Sequence, residues 1–325
     1  TANILYRDYW QQYEDDWSLS KHNNRGLYID GQYALTLADL PFLVGGDLAF
    51  DKVESTNLGA EAKQLLRGGI FLQQKSQLDL GLMRTNLRYD YHPSFGSYLS
   101  PSWNLLMPID EQISTWVGVA RAFRAPSMND LYWEDPYSYG NPELKPETAT
   151  NGELGVRLTQ RKLALELVAF ARKVEDLIGW VPTGGEWGPW IVDNHGSHLF
   201  YGLEVTGTFK IAKRLSASCG YTFTEGKNLL DGTPTPYTPK HTATGSLLFA
   251  FGLLTGQLDG QFQSEQLAGT KNLPSRTVLG CQLSYPIGEG KIALRVDNLT
   301  DTKYEEQAGY HMPPRHFSLS FSQNF

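Results

Sequence analysis

The stretch RHFSLSFSQNF (315–325) alternates apolar and polar residues strictly from Phe317 to Ser322 and ends on an aromatic. Phe317, Leu319, Phe321 and Phe325 share one parity, and Ser318, Ser320 and Ser322 the other. Successive side chains of a strand point to opposite faces, so such a segment can only be a strand with one apolar and one polar face. The pattern recurs along the chain. In 290–297, Ile292, Leu294 and Val296 oppose Lys291, Ala293, Arg295 and Asp297. In 202–209, Leu203, Val205 and Phe209 oppose Glu204, Thr206 and Thr208, and in 241–251, Ala243, Leu247, Phe249 and Phe251 oppose Thr242, Thr244 and Ser246. No stretch of convincing length has a helical period.

The connections between such segments come in two kinds that alternate. Short turns lie at 38–41, 75–79, 107–111, 159–162, 211–214, 252–255 and 286–290. Long connections rich in Gly, Pro, Asn and Trp lie at 11–24, 55–66, 91–97, 124–148, 176–195, 226–240, 267–274 and 298–314. Short turns at one rim and long loops at the other are the signature of an up-and-down transmembrane barrel, whose long loops are extracellular. The predicted fold is therefore all-β, an antiparallel up-and-down transmembrane β-barrel. About sixteen strands are expected, near 1–13, 25–37, 42–54, 66–76, 79–91, 98–107, 112–123, 149–160, 162–176, 196–210, 215–225, 240–251, 255–266, 275–285, 290–297 and 315–325. No composition break separates a second domain, so residues 1–325 are read as one barrel domain.

The mean hydropathy of −0.36 fits this reading, because inward positions of a membrane strand are polar and no long apolar helix is needed. Charges are expected on the inner face, since Arg or Lys at the bilayer midplane costs about 2–4 kcal/mol. Glu204, Arg295 and Asp297 should face the lumen, and Leu203, Ile292, Leu294 and Phe321 the lipid. The two cysteines, Cys219 and Cys281, share the parity of apolar neighbours and lie three strands apart, beyond disulfide reach. A final strand ending on an aromatic resembles the closing strand of bacterial outer-membrane barrels, which implies that Phe325 belongs to the signal read by the barrel-assembly machinery. No signal peptide is visible.

The most informative segment is 118–158. Phe123-Arg124-Ala125-Pro126 is followed by Asn141-Pro142-Glu143-Leu144-Lys145-Pro146-Glu147. Pro126 ends a ladder, Asn141-Pro142 and Lys145-Pro146 set rigid turns, and Glu147 begins the return strand. This pair of boxes resembles the FRAP and NPxLxPE boxes of TonB-dependent outer-membrane receptors. KVEDLIGW with VDNHGSHLFYGLEV (Asn194, Gly202, Glu204) resembles another paired segment of that family. The stretch 296–321 resembles its closing hairpin, with Asn298-Leu299-Thr300-Asp301, Tyr304, Gly309-Tyr310 and Pro313-Pro314-Arg315.

The resemblance implies active transport of a scarce, bulky ligand such as cobalamin or a ferric siderophore across the bacterial outer membrane. The energy would come from TonB. Barrels of this kind have about 22 strands and a plugged lumen, so about sixteen strands would be the last part of the barrel. The plug and the TonB-binding segment are expected to lie outside this chain. A passive sixteen-stranded porin is the alternative, and a haem receptor of the same family a second. Haem receptors carry a histidine between the two boxes, and 127–140 contains none.

Candidate ligand contacts are the aromatic and acidic residues of the long loops: Tyr132, Trp133, Asp135, Tyr137, Tyr139 and Trp187. Trp180 and Trp190 fit an interfacial aromatic belt better. The tip from Asp130 to Tyr139 holds no Lys or Arg, which favours a neutral ligand such as cobalamin over a strongly anionic ferric catecholate. His195, His198, His241, His311 and His316 lack metal-ligand spacing, and no cofactor is expected. GxSxG, HExxH and P-loop patterns are absent, so an enzyme is not expected. The net charge of −7 argues against a nucleic-acid partner.

Overall fold

The computed structural model describes residues 1–14, 19–59, 61–183, 188–269 and 271–323. Trp187 and Phe325 therefore lie outside the described residues. The first elements are β1 (Ala2–Glu14), β2 (Leu19–Leu37), β3 (Leu40–Ser55), β4 (Lys63–Leu78), β5 (Gly81–His92), β6 (Gly96–Pro108) and β7 (Ile113–Arg124). Then come α1 (Met128–Tyr132), β8 (Glu134–Asp135), β9 (Ser138–Tyr139), β10 (Glu147–Thr159), β11 (Leu163–Glu175), β12 (Ile178–Pro182) and β13 (Trp190–Asn194). The remainder are β14 (His198–Ala212), β15 (Leu215–Asn228), β16 (His241–Phe251), β17 (Leu254–Gln263), β18 (Gln266–Ala268), β19 (Lys271–Leu273), β20 (Arg276–Ile287), β21 (Gly290–Asp297), β22 (Glu305–Gln307), β23 (Tyr310–His311) and β24 (His316–Gln323).

Sixteen strands form one sheet in the order β1-β2-β3-β4-β5-β6-β7-β10-β11-β14-β15-β16-β17-β20-β21-β24. Every strand thus neighbours the next long strand in the chain, as an up-and-down path requires. Among the described residues β1 and β24 do not pair with each other, so the sheet is not closed. The eight remaining short strands build small sheets inside the long connections: β12-β13-β9-β8, β18-β19 and β22-β23. The connection expected at 11–24 is mostly ladder instead. β1 and β2 stay in register from Ala2↔Gly31 to Glu14↔Leu19. Its polar composition reads as loop, but polar residues are at home on strands whose faces both meet a polar medium.

The chain forms two compact units. The first comprises Thr1–Met107, Val117–Gly152 and Arg172–His198. The second comprises Pro108–Trp116, Glu153–Ala171 and the chain from Leu199 onward.

In the second unit the two faces are cleanly sorted. Cross-strand rows such as Leu283–Leu294–Leu319 and Tyr285–Ile292–Phe321 line one face. Gln282–Arg295–Ser318 lines the other. Arg295 there bonds Asp297 at 2.6 Å and approaches Asp259 at 3.4 Å. Leu203 and Leu294 stay exposed on the apolar face. Cys219 and Cys281 are both free thiols, opposite Gly245 and Leu258 on the apolar face. Gly202 is dictated by close approach: a Cβ there would lie 1.9 Å from the Phe223 carbonyl. The closing connection turns on Asn298 and Asp301, both with positive φ (50° and 54°). Asx side chains tolerate that conformation. Asn298 donates to the Thr302 and Pro313 carbonyls, and Asp301 accepts the Arg315 amide at 2.8 Å.

In the first unit, β2 and β3 meet in a two-residue turn, Ala38-Asp39, with φ of 49° and 64°. Positive φ at both positions matches the twist of a hairpin. The polar face carries a ladder of charge. Asp51 accepts from Tyr28 and, at 2.8 Å, from Arg67, while Arg88 bridges Asp47 (2.7 Å) and Asp90 (2.6 Å). The apolar face carries rows such as Leu27–Phe50–Leu66.

Candidate functional site

The connection from Arg124 to Glu147 leaves the sheet at the end of β7 and folds into a small body of its own. Phe123 stacks on Tyr98 with ring centroids 4.4 Å apart, which fixes the exit point. Pro126 is fully buried and cannot continue the ladder. Ser127 then caps α1: its hydroxyl accepts the Asp130 amide at 3.1 Å, and the Asp130 carboxylate accepts the Ser127 amide at 2.9 Å. This reciprocal capping lets a five-residue helix form where its length alone would not.

The two boxes meet through Arg124. Its guanidinium donates to Asp130 at 3.2 Å, to Glu147 at 3.3 Å and to the Ile178 carbonyl at 3.5 Å. The buried Glu147 carboxylate also accepts the Ile178 amide at 3.2 Å. One guanidinium, in two ion pairs, therefore ties the end of β7, the helix cap, the start of β10 and the start of β12. Asn194 performs a similar service with neutral groups. Its amide accepts from the Lys145 N–H at 2.9 Å and donates to the Lys145 carbonyl at 3.0 Å and the Asp176 carbonyl at 2.8 Å. The Lys145-Pro146 turn is thus held by a residue 49 positions away.

Beneath the connection lies a core of Leu131, Leu144, Ile178 and Val192, with Phe95 and Tyr132 packed against it. Lys63 sits over the Tyr132 ring at 4.7 Å. Gly140 is required here because a Cβ would press within 2.7 Å of the α1 backbone. β9 pairs in parallel with β13, Ser138 opposite Trp190 and Tyr139 opposite Ile191. The loops 124–148 and 176–195, separate in the sequence, therefore share one sheet and one core.

The expected ligand contacts fall into distinct settings. Trp133 donates its indole N–H to Asp135 at 2.7 Å and to Ser138 at 3.1 Å. Asp135 also accepts from the Ser138 hydroxyl at 2.6 Å and the Tyr137 amide at 2.7 Å. Burial pushes the Asp135 carboxyl up, but the hydrogen bonds from Ser138, Trp133 and the backbone outweigh it and hold the group below the usual aspartate value of 3.8. Asp135 and Trp133 therefore shape the tip. Tyr132 is turned to the core. Tyr137, 78% exposed, and Tyr139 remain free to touch another molecule, beside the half-exposed Trp180 and Trp190. Those two tryptophans stand in the β12–β13 hairpin of the loop body, away from the long sheet's ladder.

Phe123, Arg124, Pro126, Leu144, Pro146 and Glu147 all lie at the folded corner, and Asn141 accepts the Glu143 amide at 2.9 Å to set the Pro142 turn. Sequence reasoning missed the partners of Arg124 and Asn194, and the role of Ile178 and Val192. The alternation within LIGWVP and WIVDN was the signal for a hairpin there.

Beside the corner is a cavity of about 700 Å³ lined by Phe95, Tyr98, Arg121, Lys145, Glu175 and Asp176, among others. Two cations and two carboxylates share it, so it offers no net positive field. The histidines have separate neighbours: His241 bonds Tyr221, His311 lies by Glu305 and His316 by Asp297.

Residues 2–299 match the family model described as TonB dependent receptor-like, beta-barrel. The vitamin B12 transporter BtuB of Photobacterium profundum is 23% identical over 292 residues, covering 87% of this chain and 47% of that protein. The ferric enterobactin receptor PirA of Pseudomonas aeruginosa is 25% identical over 345 residues, covering 89% and 46%. The crystal structure of the ferric enterobactin receptor PfeA from the same organism superposes with a TM-score of 0.77 at 21% identity, over 95% of this chain and 55% of that one. This chain spans about half the length of the curated relatives it matches.

Proposed function

Since this chain belongs to the TonB-dependent receptor β-barrel family and so to the outer membrane, we propose that it forms the loop-bearing part of a receptor that imports a scarce, bulky ligand with energy drawn from TonB. The observation that carries the reading is the family match across 2–299, together with relatives that are receptors and transporters rather than enzymes or general porins. The folded loop body supports it. A corner pinned by Arg124–Glu147 holds Tyr137 and Tyr139 out over their surroundings on a rigid base, and a pre-organised aromatic surface loses little entropy when it captures a ligand.

For the ligand, cobalamin is the preferred reading. The tip carries no cation, and the cavity at its base balances Arg121 and Lys145 with Glu175 and Asp176. A strongly anionic ferric catecholate gains from a positive site, whereas a near-neutral corrin relies on aromatic contact and hydrogen bonds. A ferric siderophore is the second reading, favoured by the similarity to PirA along most of the chain. Titration of the full-length receptor with cobalamin and with ferric enterobactin separates them. Tight cobalamin binding that weakens in Tyr137→Ala supports the first. Tight siderophore binding with none of cobalamin overturns it.

A further inference from the structure

We propose that the short-turn rim of the second unit binds the anionic headgroups of phospholipids in the periplasmic leaflet. The proposal rests on the outer-membrane location and on short turns facing the periplasm, and is independent of the ligand carried.

Two short turns supply the charge. Arg161 and Lys162 close the β10–β11 hairpin, and Lys213 and Arg214 close the β14–β15 hairpin; all four are exposed. β11 and β14 are neighbours in the sheet, and the Lys210 amide donates to the Lys162 carbonyl at 2.8 Å. With strands about 4.8 Å apart, the two turns stand about 10 Å from each other, within the span of one or two headgroups. None of the four cations forms an ion pair among the described residues. The acidic turn on the far side carries Asp110 and Glu111, two carboxylates against four cations, so the three turns together stay net positive; Asp110 accepts the backbone amides of Gln112 and Ile113 at 2.7 and 2.8 Å. Inland, Arg157 is already held by Glu166 at 2.5 Å.

A second observation points to lipid rather than to a soluble anion. The next turn along the sheet is apolar. The Ala250 amide donates to the Arg214 carbonyl at 3.0 Å, and the chain then presents Phe251, 83% exposed, and Leu253, 62% exposed. Phe251 continues the apolar parity of Leu247 and Phe249 on β16. Cations at headgroup level next to bare apolar side chains match the layering of a membrane interface, with acyl chains meeting Phe251 and Leu253 and phosphates meeting the four cations. Inorganic phosphate would engage only the charged half.

The test uses the full-length receptor in detergent micelles and native mass spectrometry of retained lipid. Phosphatidylglycerol, phosphatidylcholine and inorganic phosphate are offered separately. The wild type should retain phosphatidylglycerol in preference to phosphatidylcholine and show no retention of phosphate. The quadruple variant R161Q/K162Q/K213Q/R214Q should lose that preference, by about fivefold per charge removed. Leu253→Ser should weaken both lipids while keeping the preference. Added salt should erode the preference in the wild type itself, which tests the idea even if the quadruple variant assembles poorly. An unchanged preference in a folded quadruple variant, equal retention of both lipids by the wild type, or retention of phosphate alone would each overturn the proposal.

Discussion

Arg124 does its work through hydrogen bonds that reach groups as distant in the chain as Glu147 and Ile178, and Asp135 through hydrogen bonds to its near neighbours Trp133, Tyr137 and Ser138. Glu147 is buried, and Arg124 is the cation that compensates it. Arg124→Ala should destabilise the corner by roughly 2–4 kcal/mol, because a buried carboxylate left unpaired is costly. Arg124→Lys should recover little, since one ammonium cannot reach Asp130, Glu147 and the Ile178 carbonyl together. Hydrogen exchange at the amides of α1 and β12 in the full-length receptor reads the effect, and unaltered protection would refute it. Asp135 offers a pH test. Its folded value lies below 3.8, so its contribution to the tip is complete at neutral pH and is lost as the pH falls through that depressed value. The Trp133 fluorescence, taken as the difference from Trp133→Phe, should hold steady down to about pH 4 and change only below it. Asp135→Asn should abolish the transition.

Strands sort their faces by parity, and a substitution reads out that parity. Leu294 lies on the apolar face in the row Leu283–Leu294–Leu319, one residue from Arg295 on the polar face. Leu294→Arg should cost roughly 2–4 kcal/mol if the position is near the bilayer midplane. Leu294→Met should be nearly neutral. Heat-modifiable gel mobility after refolding into vesicles measures the difference, and equal behaviour of the two variants would mean that this face does not meet lipid. The short elements obey a different logic. α1 has five residues and β8 and β9 two each, too few to stand alone. They persist because Ser127 and Asp130 cap α1, because β9 pairs with both β8 and β13, and because Leu131 and Val192 share a core.

Both end strands of the sheet have one free edge in this chain. Among the described residues β1 pairs only with β2 and β24 only with β21, although β24 presents Phe317, Leu319 and Phe321 in a row. An unpaired strand edge flanked by apolar side chains recruits other chains. Residues 1–325 produced alone should aggregate on refolding, and the same residues within the full-length receptor should not. Light scattering of the two preparations decides this. A heat-resistant monomer from residues 1–325 alone would show that the sixteen strands can close on themselves, and would revive the porin alternative.

Strand number, strand order and the two faces were legible in the sequence because each depends on local rules. Parity assigns every side chain of a strand to a face, and turn length assigns every hairpin to a rim, so Leu294 and Arg295 could be placed without coordinates. Phe123-Arg124-Ala125-Pro126 and Asn141 to Glu147 could likewise be seen as the ends of two strands. What the boxes hold could not be seen. Arg124 meets Glu147 23 residues on, and Asn194 meets Lys145 across 49. No periodicity encodes a contact between loops. The same holds for Trp133, whose indole looked available for a ligand and is instead engaged by Asp135 and Ser138, and for Tyr132, which is turned toward the core. The basic turns at 159–162 and 211–214 were read as turns from their own residues. That they stand side by side was decided by the pairing of β11 with β14, because only hydrogen bonding between strands distant in sequence brings separate hairpins to one rim.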